Sequence, residues 1–343
     1  MEALLNNLGK QVSFHISESS EIASARRTGN ELARRLGFDE VRTGQVAIVI
    51  TEAGTNIVKH AQHGEILLRP VEADGVMGIE IMSLDKGPGM ANLPLLMQDG
   101  HSTAGSYGVG MGAIGRLTQE FDIYSVPGQG TVMMMVLWAD GIGPLNSEWQ
   151  VGAVCVPIAG EDACGDAFRI GVGRQCITVC AADGLGHGPD AARASDPAVA
   201  LAASHPDLPA AELMAHAHRA LHGTRGAAMA IAIIDPGAGR LDFAGVGNLA
   251  GCIFYQDTRR HLMSHNGIVG SNMRKVQAFE HEWGAGATLV IHSDGIATRW
   301  DVNAYQGLMF RHPALIAAVL YRDFARQRDD AMVLVLRQLD RGP

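Results

Sequence analysis

Apolar residues recur along this chain in two textures that change near residue 140. In the first, Val12, Phe14 and Ile16 alternate with Ser13 and His15, the period-two signature of a half-buried strand. The period then switches. Ile22, Ala25, Leu32 and Leu36 share one face of a helix predicted over 21–36. Val46, Val49, Ala53 and Ile57 share one face of a second helix, which Asp39 should cap and which should reach about His60. Strands are predicted at 65–71, 77–84, 121–126 and 131–138, with a glycine-rich stretch at 105–115 between the two pairs. Helices laid on one face of a mixed sheet make an α/β sandwich.

The second texture is a series of short apolar runs, predicted as strands at 151–157, 167–172, 176–182, 227–234, 240–244, 250–255, 288–292 and 331–337. Helices are predicted at 189–203, 209–222 and 313–326, so a β-sandwich flanked by helices is expected. Gly141, Gly143, Pro144 and Asn146 break the pattern. The chain is therefore read as a two-domain α/β protein, with domains at 1–140 and 150–343 and a linker at 141–149.

Composition narrows the class. A chain of 343 residues accommodates two ordinary domains, and 47% hydrophobic against 18% charged residues reads as globular. A net charge of −9 argues against sequence-independent nucleic-acid binding, which needs clustered cations. No run of about 18 uncharged apolar residues suggests a membrane span. The stretch MEALLNNLGK does not read as a secretion signal. Five cysteines without paired or zinc-like spacing suit reduced thiols, and a cytoplasmic location is expected.

Four motifs in the first half carry candidate chemistry. Glu52 and Asn56, four apart on the second helix, project from one face and suit hydroxyl activation and Mg²⁺ ligation. Asp85, followed by Gly87 and Gly89, can accept an adenine amine while the glycines allow close backbone approach. Gly108, Gly110 and Gly112 open a helical pattern whose N–H groups could cradle phosphates. Thr131 begins the last strand of this half after Gly128 and Gly130. In this order the motifs resemble the N, G1, G2 and G3 boxes of the GHKL ATPases. The stretches 24–27, 31–38, 98–103 and 115–117 are similar to the switch-protein kinases of bacterial stressosomes. That resemblance implies a Bergerat-type ATP fold, Glu52 as base, Asn56 on the nucleotide's Mg²⁺, Asp85 on adenine, and a lid over 99–107. Lys59 and Lys86 are expected to be surface groups.

In the second half, acidic residues stand at the ends of predicted strands: Asp166, Asp183, Asp294 and the pair Asp329–Asp330. Such carboxylates can converge on hard divalent cations. The set resembles the compact bacterial branch of the metal-dependent (PPM) protein serine phosphatases. The resemblance implies Asp166, Asp183, the Gly184 carbonyl, Asp294 and Asp329 as metal ligands, with Mg²⁺ or Mn²⁺ as cofactor. His187 and Gly247–Asn248 are read as turn residues, and Cys176 and Cys180 as packed thiols. His216, His218 and His222 are read as surface groups.

Together these resemblances imply an ATP-dependent protein serine/threonine kinase joined to a metal-dependent phosphatase. The expected substrate is a STAS-domain antagonist or scaffold protein. A sigma-factor regulator and a second copy of the chain are further candidate partners. The alternative is that the first half is a non-catalytic partner-binding module and only the phosphatase half turns over.

Overall fold

Capping side chains start both helices of the first apolar pattern. The structure, a computed structural model, describes residues 6–7, 11–73, 75–91, 107–144, 148–256, 258–274 and 276–340. Helix α1 (Ser19–Arg35) begins where Glu21 turns back to accept the Glu18 N–H at 3.0 Å. Helix α2 (Glu40–Asn56) begins at Asp39, whose side chain accepts the Arg42 N–H at 2.7 Å. It ends earlier than its apolar period suggests, because residues Ile57–Ala61 widen into a π-helical turn. Such turns concentrate at functional positions.

The chain divides into two units. One is built on Asn7–Asn146 together with Val302–Arg322; the other is built on Ser147–Asp301 and Asp323–Pro343.

In the first unit, β1 (Asn6–Asn7), β2 (Val12–Ile16), β3 (Gly64–Ala73), β4 (Val76–Asp85), β5 (Glu120–Ser125) and β6 (Thr131–Trp138) form one sheet. Its order is β1-β3-β4-β6-β5, with β2 also paired to β3. The β2–β3, β3–β4, β4–β6 and β5–β6 pairings are antiparallel. Short turns join β3 to β4 and β5 to β6, and a short turn can connect only antiparallel neighbours. Helix α3 (Tyr107–Leu117) lies between β4 and β5 in the chain and packs on α2.

Alternation along the strands assigns the two faces of this sheet. Ile66, Leu68, Ile79, Ile81, Met133 and Met135 join one core with Ile22, Val46, Ile50 and Ala53 of the helices. The intervening residues face the other way, yet Leu67, Met82, Leu84 and Met134 are equally buried. Val302–Arg322 is bonded to this second face. Tyr321 Oη donates to Glu65, the His312 N–H and Arg311 both donate to Asp122, and Tyr124 Oη donates to the Gln306 carbonyl. This segment contains most of α6 (Pro313–Phe324), whose residues 313–320 are all buried. A helix apolar on every side requires partners on every side.

The second unit stacks two five-stranded antiparallel sheets. One runs β14-β11-β10-β9-β8: Phe279–Glu282, Arg240–Val246, Ala227–Asp235, Ile177–Gly184 and Asp166–Val172. The other runs β13-β12-β15-β16-β7: Thr258–Leu262, Ala250–Tyr255, Thr288–His292, Ala331–Gln338 and Trp149–Val156. Their inner faces share a core that includes Phe168, Val179, Phe243, Ile253, Leu289 and Leu334. A second core, with Met229, Ile231 and Cys180, lies between the first sheet and helices α4 (Gly188–Ser204) and α5 (Ala210–Ala220). Strands β13 (TRRHL) and β14 (FEHE) had not been anticipated. They are short edge strands whose polar residues conceal the period.

Candidate active sites

Four-residue spacing near the end of α2 places Glu52 and Asn56 on one face, and α3 lies directly against them. A Cβ on Gly110 would sit 2.5 Å from Glu52 Oε2 and 3.8 Å from Asn56 Oδ1, so only glycine allows this approach. Asn56 Nδ2 is buried with no hydrogen-bond partner among the described residues. An orphaned buried donor costs about 1–3 kcal/mol, and such groups persist where binding sites need them. The amide's Oδ1 is the kind of ligand that Mg²⁺ accepts, so the pair fits a nucleotide-bound cation.

Asp85 closes β4 opposite Thr131. Its Oδ1 accepts the N–H groups of Gly87 at 2.8 Å and Thr131 at 3.2 Å, leaving Oδ2 for an incoming donor. Burial raises its carboxyl above the ordinary 3.8, while those two N–H groups and Arg322 pull it back. Arg322 also donates to the Asp85 carbonyl at 3.1 Å. Gly87 and Gly89 form the turn that follows, and Gly89 takes a left-handed φ of 67°. Gly108, Gly110 and Gly112 fall in the first two turns of α3, whose leading N–H groups are unpaired by helix geometry. Thr131 is buried and its hydroxyl meets Ser125 Oγ at 2.9 Å. Lys59 and Lys86 are exposed. Of the expected lid, residues 99–106 lie outside the described residues.

The second site is built from strand ends. Asp166 opens β8 and stands opposite Asp183, near the end of β9. Asp294 follows β15, and Asp329 and Asp330 precede β16. Burial, followed by the charges of Asp294, Asp329 and Asp330, pushes the Asp183 carboxyl up to about 7. Burial and Asp183 likewise hold Asp166 well above the usual carboxylate range. Among the described residues no group of three or more His, Cys, Asp or Glu side chains is placed to hold a metal ion by itself. The carboxylates meet through charge, and a divalent cation is the natural counter-ion for that excess. Asp183, the Gly184 carbonyl, Asp294 and Asp329 present oxygen donors of the kind that Mg²⁺ or Mn²⁺ accepts.

Two neighbouring aspartates do different work. Both oxygens of buried Asp330 are engaged, accepting the N–H groups of Ile158 at 2.8 Å and Gly165 at 2.7 Å. Asp329 is half-buried and, among the described residues, its carboxylate accepts the Asp330 N–H through Oδ1 at 3.0 Å, which leaves Oδ2 for a ligand. Two residues position these carboxylates. Ser293 donates to Asp166 Oδ2 at 2.7 Å and accepts from the Met332 N–H. Asn248, expected as an ordinary turn residue, donates to Asp294 Oδ2 at 2.7 Å. The Ser-Asp-Gly motif contained the first signal; nothing local to Asn248 points to Asp294. His187 is exposed and pairs with Glu161 at 3.0 Å. Cys180 is buried in the core, and burial pushes its thiol up to about 12. A cavity of about 670 Å³ lined by Trp149, Arg174, Cys176 and Asp235 opens at the Ile177 end of β9, away from the carboxylates.

These two geometries can be set beside known proteins. Residues 17–137 match the family described as histidine kinase-like ATPase domain, and residues 173–339 match the family described as stage II sporulation protein E (SpoIIE). Over 131 residues the chain is 34% identical to the serine/threonine-protein kinase RsbT of Bacillus subtilis (strain 168), covering 38% of this chain and 98% of that protein. The chain belongs to the RsbT family of histidine kinase-like ATPases, fused to a SpoIIE-type (PPM) phosphatase domain. A chain from a structure described as "The bacterial stressosome: a modular system that has been adapted to control secondary messenger signaling" is 30% identical. It matches at a TM-score of 0.53, over 56% of this chain and all of its own length. RsbX in complex with magnesium is 19% identical at a TM-score of 0.50, over 56% of this chain and 96% of its own, a likeness of fold alone. In this RsbT-like fusion, no helix among the described residues is long and apolar enough to cross a membrane.

Proposed function

We propose that this RsbT-family fusion sets the phosphorylation state of a serine or threonine on a STAS-domain switch or scaffold protein. The first unit transfers the ATP γ-phosphoryl group, and the SpoIIE-type domain hydrolyses the phosphoester. In the first unit, Asp85 Oδ2 accepts the adenine amine and the α3 N-terminus receives the phosphates. Asn56 holds the nucleotide's Mg²⁺, and Glu52 takes the proton from the attacking hydroxyl as ADP departs. In the second, Asp166, Asp183, the Gly184 carbonyl, Asp294 and Asp329 hold Mg²⁺ or Mn²⁺. Those ions would neutralise phosphoryl charge and make water more acidic. Ser293 and Asn248 keep Asp166 and Asp294 oriented.

The kinase reading rests on the contact of Gly110 with Glu52 beside Asn56, supported by the likeness to a protein named as a serine/threonine kinase. The phosphatase reading rests on Asp183 standing opposite Asp166 at the strand ends, with Asp294 held by Asn248, and is supported by the match of residues 173–339 to the SpoIIE family. The likeness to a stressosome structure supports a scaffold substrate. The test incubates the full chain, ATP and Mg²⁺ with a STAS-domain protein and follows phosphoserine by mass spectrometry. Glu52→Ala is expected to retain ATP but lose transfer, and Asp183→Asn to leave transferred phosphate in place. Wild-type transfer by Glu52→Ala would overturn Glu52 as the base, and absence of transfer by the wild-type chain would make the first unit's role one of partner binding. Phosphate removal in the presence of a chelator would overturn the metal-dependent reading.

A further inference from the structure

Beside the Asp183–Gly188 turn lies a cleft of about 510 Å³ lined by Asp190, Arg193, Gly223, Thr224 and Arg225. Arg225 Nη2 donates to Asp190 Oδ2 at 2.6 Å, and Arg193 bonds the other carboxylate oxygen. One carboxylate thus holds two guanidinium groups, and the cleft carries a net positive charge. The second arm of Arg225 extends to the turn itself: a Cβ on Gly186 would lie 3.0 Å from Arg225 Nη1. Gly186 has a φ of 89°, so a larger residue there would be strained and would also displace the guanidinium.

The backbone ties this arginine to the candidate metal centre. The Leu185 N–H donates to the Gly226 carbonyl at 3.0 Å, and β10 begins with Ala227 paired to Gly184 and Ala228 paired to Asp183. Arg225 is therefore two residues from the cross-strand partner of Gly184. A phosphoryl dianion approaching this turn first meets an acidic cluster, which repels it unless a cation stands at the rim. His187, the neighbouring basic residue on the turn, is already matched by Glu161.

We propose that Arg225 is the residue that receives the substrate's phosphoryl group, with Nη1 donating to a non-bridging oxygen and Asp190 holding the guanidinium in position. Arginine presents a planar, permanently charged fork that suits phosphate. The assignment rests on the phosphatase reading given above.

The test uses the full chain with Mn²⁺ and compares wild type, Arg225→Gln, Arg225→Lys and Asp190→Asn. The substrates are a phosphoserine peptide and an aryl phosphate, with inorganic phosphate as inhibitor. Arg225→Gln is expected to raise KM for both substrates tenfold or more and to weaken phosphate inhibition equally. Mn²⁺ affinity by calorimetry should change less than twofold. Arg225→Lys should recover part of the loss, and Asp190→Asn should fall between. Unchanged phosphate inhibition in Arg225→Gln would overturn the assignment. So would a loss confined to the peptide, which would place Arg225 on flanking residues, or a parallel loss of Mn²⁺ affinity, which would make it a structural brace. Failure of wild type to hydrolyse either substrate would count against the phosphatase reading. Calorimetric binding of inorganic phosphate, which needs no turnover, would still decide Arg225.

Discussion

Replacing Gly110 by alanine should uncouple stability from catalysis in the kinase unit. The new methyl carbon would lie 2.5 Å from Glu52 Oε2, whereas ordinary contact begins at 3.4 Å. The carboxylate must therefore withdraw by roughly 1 Å, and it can do so because it ends a flexible side chain. Asn56 Oδ1, at 3.8 Å, is already at ordinary contact and need not move. Misplacing a reacting group by about 1 Å costs on the order of a hundredfold in rate. Alanine meanwhile favours a helix interior over glycine by about 1 kcal/mol, so α3 should not suffer. Expected results are an unchanged or slightly higher thermal midpoint, near-normal ATP affinity by calorimetry, and phosphotransfer slowed about a hundredfold. Transfer at the wild-type rate in a folded Gly110→Ala protein would refute the assignment of Glu52 as the base. Loss of ATP binding along with transfer would show that the contact shapes the nucleotide pocket instead.

Three further outcomes follow from named contacts. Asp183→Asn removes a carboxylate that burial and like charges push up to about 7. It should raise the thermal midpoint of the chelated protein while lowering Mn²⁺ affinity, and losing even ~4 kcal/mol of transition-state stabilisation would slow hydrolysis about a thousandfold. Asp330→Asn would oppose an amide donor to one of two backbone N–H groups, costing about 1–3 kcal/mol of stability by denaturant titration. Asp329→Asn should spare the fold but weaken metal binding, so equal stability losses at both positions would contradict the division of roles. Burial raises the Glu65 carboxyl above its ordinary 4.5, so its protonated form favours folding. That contribution is present below pH 4.5 and is lost as pH rises through the raised value. Glu65→Gln should therefore lift the thermal midpoint near neutral pH and change little at pH 4; the same gain at both would exclude titration of Glu65 as the cause.

Local physics made much of this protein legible before its structure. A capping aspartate at 39, a 3.6-residue period through α2, and apolar strands ending in aspartates each depend on neighbours a few residues away. Glu52 and Asn56 could be paired because helix geometry alone puts residues four apart on one face. The period failed where no period existed: β13 and β14 carry charged residues on short edges, and α6 is apolar all round, so nothing in its pattern says which surface it covers. Tertiary structure decided that Val302–Arg322 belongs with Asn7–Asn146, through the bonds of Tyr321 to Glu65 and Arg322 to Asp85. It also distinguished Asp330 from Asp329, two adjacent and chemically identical residues. The N–H groups that occupy the Asp330 oxygens come from Ile158 and Gly165, more than a hundred residues away in the chain. Only the folded chain brings those donors to one carboxylate and leaves its neighbour with no more than the N–H of the adjacent residue among the described contacts.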